Sequence, residues 1–160
     1  MKALGFYCTN YEKTFDFLQH MNPAHVTPRV AREIFALEPE LFYNLPDHAK
    51  NEEMCRRAVW HDGSYLQHVP EKWKTPELCM EAIRRSPYAI AHLPESMKSP
   101  DLYMSLVREN PQNLKGVPRE ARTPEMSREA FERTYGKDKT DFSVISALSD
   151  PALVLQVFRE

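Results

Sequence analysis

Prolines at a fixed spacing are the feature that most constrains the fold of this chain. Its 160 residues include 13 prolines but only four glycines, and eleven of the prolines fall on three columns with a step of 24 residues. A fixed period of about 20 to 50 residues is the signature of repeat architectures. The three columns are Pro28, Pro76, Pro100 and Pro124; Pro39, Pro87 and Pro111; and Pro46, Pro70, Pro94 and Pro118. The corresponding units begin at Thr27, Asn51, Thr75, Ser99 and Thr123.

Each unit opens with signals for the start of a helix. Its first residue is Thr, Asn or Ser, whose side chain can accept a hydrogen bond from a free amide of the first turn. A proline usually follows where its missing N–H costs nothing, and an acid then favours the positive end of the helix dipole. Apolar or small residues recur at helical spacing after this start, as in Leu78, Cys79, Ala82 and Ile83. We therefore predict a first helix of about ten residues with one buried stripe.

A second start signal lies eleven residues after the first in four units, as in Ser86-Pro87 and Asn110-Pro111. We expect a short second helix of about two turns here, which the next proline ends. One such unit cannot bury its own apolar face, but stacked units can. The sequence therefore predicts an all-α helical-repeat solenoid or superhelix of about five 24-residue units.

The two ends of the chain depart from the repeat. Near the amino terminus, Phe15, Leu18 and Met21 match the columns of a second helix. Near the carboxyl terminus, the run GKDKT breaks the register, and we predict two apolar helices after it, over 141–148 and 151–158. The expected organisation is a single domain over 1–160, with an amino-terminal cap (1–26), repeats (27–135) and carboxyl-terminal capping helices (136–160).

Two stretches carry a family resemblance: SPDLYMSLVRENPQNLKGV and TPELCMEAIRRSPYAIAHL. They resemble the short helical repeats of the domain of unknown function 4116 family, and the resemblance covers about residues 27–135. Its units combine an acidic helix start, an apolar helix that ends in a small polar residue plus Pro or Gly, and a short second helix. This chain departs from that pattern by keeping a proline at the end of the second helix. A leucine-rich repeat does not fit, because it requires an L-x-x-L-x-L strand and an Asn ladder. The resemblance implies a binding scaffold without an agreed activity, in a family found in bacteria, viruses and secreted effectors.

Composition excludes several classes of protein. The 21 Lys and Arg against 23 Asp and Glu give a net charge of −2, which argues against a generic phosphate-backbone binder. With 42% apolar residues the chain is not disordered, and no stretch is long and apolar enough to cross a bilayer. The first residues turn polar too early for a secretory signal. Three cysteines without C-x-x-C spacing fit a reducing compartment. We expect a cytoplasmic protein, with delivery into a host cell as the alternative.

The sequence shows no constellation of catalytic groups. The tetrapeptide at residues 61–64, HDGS, is explained by the repeat, in which Asp62 is a cap and Gly63 takes the place of proline. Cys55 and Cys79 share a column of neighbouring units, and we predict buried thiols because packed helices lie about 8 to 10 Å apart, too far for a disulfide. The common nucleotide and zinc-protease motifs do not occur. We therefore predict no enzyme activity, no cofactor and no metal.

A column of histidines raises the question of a metal ladder. His20, His68 and His92 share it, but ligands must converge within about 2 Å of one ion, and stacked units spread them out. We expect these side chains to hydrogen-bond the carbonyls that end each second helix.

The fifth and ninth positions after each cap lie nearly opposite the buried stripe. We call the eight notable side chains at these positions the outer-face row, and expect them to bind a partner, because Arg, Trp and Met are over-represented at interfaces. The alternative is a solvated face with local ion pairs, in which Glu53 pairs with Arg56 and Arg57, and Glu81 with Arg84 and Arg85. The row consists of Arg32, Arg56, Trp60, Met80, Arg84, Met104, Arg108 and Arg128.

These observations favour a non-catalytic protein–protein interaction module, acting as an adaptor or as a blocking inhibitor of a partner protein. A virus-encoded or secreted effector would fit this description by analogy of fold. The second choice of surface consists of the second-helix side chains Tyr43, Gln67, Tyr88 and Lys115. The alternative function is nucleic-acid binding through the arginines of the outer-face row, which the interleaved glutamates and the net charge oppose. The sequence leaves the oligomeric state open.

Overall fold

The computed structural model describes residues 11–138, 143–148 and 151–157, and these residues form helices and turns without a β-strand. The predicted all-α fold is confirmed. The α-helices of these residues are α1 (Tyr11–His20), α2 (Pro28–Leu37), α3 (Glu52–His61), α4 (Pro76–Arg85), α5 (Pro100–Glu109), α6 (Pro124–Arg133) and α7 (Pro151–Val157).

Helices α2 to α6 recur at the predicted step. Each has ten residues and begins 24 residues after the one before it. The predicted N-caps all act as caps, since each side-chain oxygen accepts a hydrogen bond from the amide three residues later at 2.9 to 3.3 Å. The starts of the helices are therefore fixed locally, by the cap and by the proline or acid that follows it.

In the first four units, the second helix is a 3₁₀ helix. The first four units have one each, at Pro39–Asn44, Gly63–His68, Pro87–His92 and Pro111–Lys115. A further single 3₁₀ turn, which the sequence did not predict, follows in each at Asp47–Ala49, Glu71–Trp73, Glu95–Met97 and Arg119–Ala121. The runs between prolines are short, and i→i+3 hydrogen bonds close in fewer residues than the bonds of an α-helix.

The core is one cluster that extends from Leu18 near the start of the described residues to Ala147 near their end. The stripe predicted for α4 is buried, including both Ala82 and Ile83. Helix α3 packs on α4, α5 packs on α6, and the 3₁₀ helices of neighbouring units contact one another. The arrangement is compatible with the solenoid that the sequence predicts.

Cys55 and Cys79 are free, buried thiols, as predicted. Burial raises the pKa of each thiol to about 11, so both remain protonated and unreactive near neutral pH. They contribute to the core as small apolar side chains.

The structure near the two ends of the chain matches the predicted capping segments in part. Leu18 is buried on α1, where Phe15 and Met21 are half-buried against the core. The predicted helix over 141–148 is wrong within residues 143–148, where the chain forms only a 3₁₀ turn at Ile145–Ala147. Helix α7 matches the second predicted segment. The other residues of the two segments, 141, 142 and 158, lie outside the described residues.

A column of cations joins one unit to the next. Lys50 is the last residue of the first unit, and its side chain, 4% exposed, donates to the His68 carbonyl of the next unit at 2.7 Å. Lys74 makes the equivalent bond to the His92 carbonyl at 3.1 Å. Each lysine also pairs with an acid three residues earlier. Arg122 occupies the same column and donates to three carbonyls, including that of Ala147 at 3.0 Å. These cations satisfy carbonyls at the ends of 3₁₀ helices, where positive charge is favourable.

Candidate functional site

The structure divides the outer-face row into two kinds of residue. Its five arginines and Trp60 are exposed. Met80 and Met104 are half-buried and pack against the core, so the expectation of a continuous exposed apolar row is wrong at these positions. Their flexible side chains bend back onto apolar neighbours, which spacing on a helical wheel does not reveal. Trp60 is 67% exposed. Packing of the core does not require a large apolar side chain at this exposed position, so the exposure of Trp60 needs another explanation.

Trp60 lies at an open groove between α3 and α4, with a volume of about 1050 Å³. Three members of the outer-face row line this groove: Arg56, Trp60 and Arg84. Trp73, the second tryptophan of the chain, lines it as well. Its Nε1 atom is buried and has no hydrogen-bond partner among the residues that the structure describes.

The last turns of α3 and α4 are adjacent at one end of the groove. The guanidinium carbon of Arg85 lies 4.6 Å from the centroid of the Trp60 ring, which is a cation–π contact. Glu81 accepts from Arg85 at 2.8 Å and pairs with Arg84 at 3.2 Å, as the alternative reading of this face predicted. These contacts hold the indole in place, so that a partner would meet an ordered aromatic surface.

The other end of the groove is acidic. Glu52 and Glu53 lie in the first turn of α3, and Glu77 lies in the first turn of α4. Arg56 has no ion-pair partner within residues 11–138, 143–148 and 151–157, and Arg57 instead lies 5.6 Å from the Phe35 ring centroid. The predicted ion pairs of Glu53 are thus not formed. The groove carries opposite charges at its two ends.

The remaining members of the outer-face row lie outside the groove. Arg108 is exposed and 4.0 Å from Glu129, while Arg32 and Arg128 are exposed on α2 and α6. The structure therefore brings together three of the eight predicted residues. Sequence analysis missed Arg85 and Trp73 as residues of this site, although the four-residue spacing of Glu81 and Arg85 does predict their ion pair.

The second predicted surface lies on the 3₁₀ helices. Tyr43 and Tyr88 are 40% and 61% exposed there. The rings of Tyr43 and Tyr65 lie 5.8 and 6.5 Å from that of His68. Gln67 is exposed and Lys115 is half-buried. None of these four side chains lines the groove at Trp60.

The histidine column follows the prediction only at His20, among the described residues. The carbonyls of His68 and His92 are acceptors for the lysines of the preceding unit. His20 contacts the carbonyl of Asp16 on its own helix at 2.9 Å. Burial lowers the pKa of His68 and of His92, and the charges of Lys50 and Lys74 respectively lower them further.

We expect stability to fall in mild acid because of these two imidazoles. Their pKa values lie below the ordinary 6.5 in the folded chain, so the unfolded chain takes up protons first as the pH falls through 6.5. The free energy of unfolding should decrease from that point until the folded pKa values are passed. Urea denaturation between about pH 5 and pH 7.5 measures this slope. The double variant His68→Gln, His92→Gln should flatten it, and an unchanged slope would contradict the assignment.

The remaining polar motif has a structural explanation. Asp62 accepts a hydrogen bond from the Ser64 amide at 2.8 Å, so this carboxylate caps the 3₁₀ helix, as the repeat predicts. Within the described residues, no group of three or more His, Cys, Asp or Glu side chains is placed to hold a metal ion. No helix in that part of the chain has the length and apolar character needed to cross a membrane.

Comparison with known families identifies one match. The family described as Domain of unknown function (DUF4116) matches residues 51–98. These residues are the second and third units, and they include every residue that lines the groove between α3 and α4. No curated protein and no solved structure matches the chain.

Proposed function

We propose that this chain, whose residues 51–98 match the DUF4116 family, is a non-catalytic module that binds another protein through the groove between α3 and α4. It would act as an adaptor, or as an inhibitor that blocks a surface of its partner. The observation that carries the proposal is the exposure of Trp60 beside that groove. Tryptophan and arginine are the side chains most enriched at the energetic centres of interfaces, and both are present here.

The environment of Trp60 supports this use of the surface. The ring is 67% exposed yet is held by Arg85, so that binding would bury a large apolar area at little cost in side-chain entropy. In the isolated chain, the exposed part of the Trp60 ring contributes nothing to the hydrophobic core. A cytoplasmic site of action, or delivery into a host cell by a virus or a secreting organism, is part of the proposal and is in line with the free thiols of Cys55 and Cys79.

Trp60→Ala is expected to weaken binding of the partner by about 2 kcal/mol or more, roughly 30-fold, while the free energy of unfolding changes little. The partner is first identified by affinity purification from native lysate and mass spectrometry, and its affinity is then measured by calorimetry. Tyr88→Ala is the matched control, because it removes a similarly exposed aromatic ring from the second predicted surface.

The two variants separate the two surfaces. Loss of affinity with Tyr88→Ala but not with Trp60→Ala would move the site to the 3₁₀ face. Equal affinity of both variants and the unmodified chain would reject both surfaces.

Nucleic-acid binding is the alternative proposal, but the acids of the groove weaken it. Four glutamates line the groove beside three arginines, so a phosphate backbone would meet net negative charge there. Binding of DNA or RNA that falls steeply between about 50 and 200 mM salt would replace the protein-binding proposal with this one.

A further inference from the structure

The groove between α3 and α4 has an acidic end and a basic end. Because Arg85 of α4 contacts Trp60 of α3, the last turns of the two helices lie at the same end, and their first turns lie at the other. Arg84 and Arg85 share the single carboxylate of Glu81 and so leave an excess of positive charge at one end. At the other end, Glu77 and the two first-turn acids of α3 outnumber Arg56 and Arg57, so this end is acidic. Glu77 and Arg84 are seven residues apart, or about 10 Å along the helix axis.

The helix dipole accounts for each of these charges, because acids favour first turns and bases favour last turns. It does not account for Trp60, whose ring is 67% exposed at the basic end. A protein surface that binds this groove must therefore bury an aromatic ring. It must also place negative charge opposite the arginines and positive charge opposite the glutamates.

A second copy of the same groove meets both requirements. We infer that the chain forms a two-fold symmetric dimer in which the grooves between α3 and α4 face each other with their helices antiparallel. The two-fold axis lies in the interface and crosses the helices at right angles, so the acidic end of each groove lies over the basic end of the other. Glu77 of each copy then faces Arg84 of the second copy, and each Trp60 is covered near the acidic end of the opposite groove.

Symmetry makes this arrangement self-limiting. A two-fold interface uses the same patch on both copies and closes after two, and it is the commonest symmetry of soluble oligomers. The parallel alternative places the glutamates of one copy on those of the other, which repulsion disfavours. An interface confined to two helices is small, so we expect a dissociation constant in the micromolar range or weaker.

This inference goes beyond the proposed function, because it identifies what covers the groove when no other protein is bound. A partner that uses Trp60 would have to displace the second copy. The apparent affinity for that partner would then fall as the concentration of the chain rises.

Sedimentation equilibrium of the full chain, over a concentration range from about 1 µM to 1 mM, tests the dimer. The chain should move from monomer to dimer within this range. Trp60→Ala should remain monomeric, whereas Tyr88→Ala should dimerise like the unmodified chain. Thermal denaturation of each variant checks that it is folded.

A charge exchange tests the antiparallel orientation. Glu77→Arg alone and Arg84→Glu alone should each abolish dimerisation, because each places like charges opposite one another twice. An equimolar mixture of the two variants should restore a one-to-one dimer, and the double variant E77R/R84E should dimerise by itself. A chain that stays monomeric throughout the range, or a mixture that stays monomeric while both variants are folded, would overturn the dimer. Either result would leave unchanged the affinity for the partner that calorimetry measures. The dimer can therefore be rejected while the proposed function stands, and the reverse.

Discussion

Gly116→Ala is expected to lower the free energy of unfolding by about 3 kcal/mol or more. A Cβ atom at Gly116 would lie 1.7 Å from the carbonyl oxygen of Pro87 and 2.6 Å from its carbonyl carbon. Both atoms belong to the backbone of the neighbouring unit, so no rotation of a side chain can relieve the overlap. The 3₁₀ helices of the two units would have to separate, which would open the core between them.

The repeat itself would suggest the opposite result. The column of Gly116 contains Asn44, His68 and His92 in the earlier units, so a side chain should fit there by analogy. In the fourth unit, however, the 3₁₀ helix ends one residue earlier, at Lys115, and Gly116 is its C-cap with φ −85° and ψ −19°. The backbone therefore approaches the preceding unit more closely at this position than the sequence column implies.

Urea denaturation of Gly116→Ala measures the effect, with His92→Ala as the control from the same column. The His92 variant removes a half-buried side chain without adding an atom to the backbone contact, and it should cost less than about 1.5 kcal/mol. A Gly116 variant as stable as the unmodified chain would contradict the close approach of the two units. Stabilisation of the variant would be the result expected from unfolded-state entropy alone.

Lys50→Met is expected to lower the free energy of unfolding by about 2 kcal/mol. The substitution keeps the volume of the side chain and removes its ammonium group, which donates to the His68 carbonyl at 2.7 Å and to Asp47 at 3.1 Å. The Nζ atom also lies 4.9 Å from the centroid of the Phe42 ring. Without the ammonium group, the carbonyl at the end of the 3₁₀ helix loses its donor in a place that water reaches poorly.

Two opposing effects decide the sign of this result. Burial of a lysine is costly by itself, and replacement of buried ion pairs by apolar residues can be neutral or stabilising. Here only one partner is removed, because the His68 carbonyl remains, and an unsatisfied buried acceptor costs about 1 to 3 kcal/mol. We therefore expect a net loss of stability.

Lys98→Met is the matched control, because Lys98 occupies the same column but its side chain is 26% exposed. Its hydrogen bond goes to Glu95 at 2.6 Å, and this acid is 87% exposed, so that solvent can replace the pair. Pairs of this kind contribute about 0 to 1 kcal/mol. The difference between the two variants, measured by urea denaturation, is the contribution of the link between units. Equal losses in both variants would show that the carbonyl of His68 does not depend on Lys50.

The site could be predicted from the sequence only in part. Trp60 and the arginines were recognised because residue type and helical position are both readable from the chain, and Trp60 is indeed exposed. A helical wheel assigns Met80 to solvent, but its long flexible side chain reaches core atoms, so the predicted exposure of Met80 is wrong. The cation–π contact between Arg85 and Trp60 joins two units, and a pattern within one unit cannot show it.

The sequence by itself determined the starts of the helices, the 24-residue step and the buried stripe of each unit. These features depend on interactions over three or four residues, such as the bond from the Thr75 side chain to the Leu78 amide, and local interactions are written directly in residue order. The tertiary structure alone decided how closely consecutive units approach. That distance sets the contact at Gly116, the reach of Lys50 to His68 and the groove beside Trp60, because each depends on atoms about 18 to 29 positions apart in the chain.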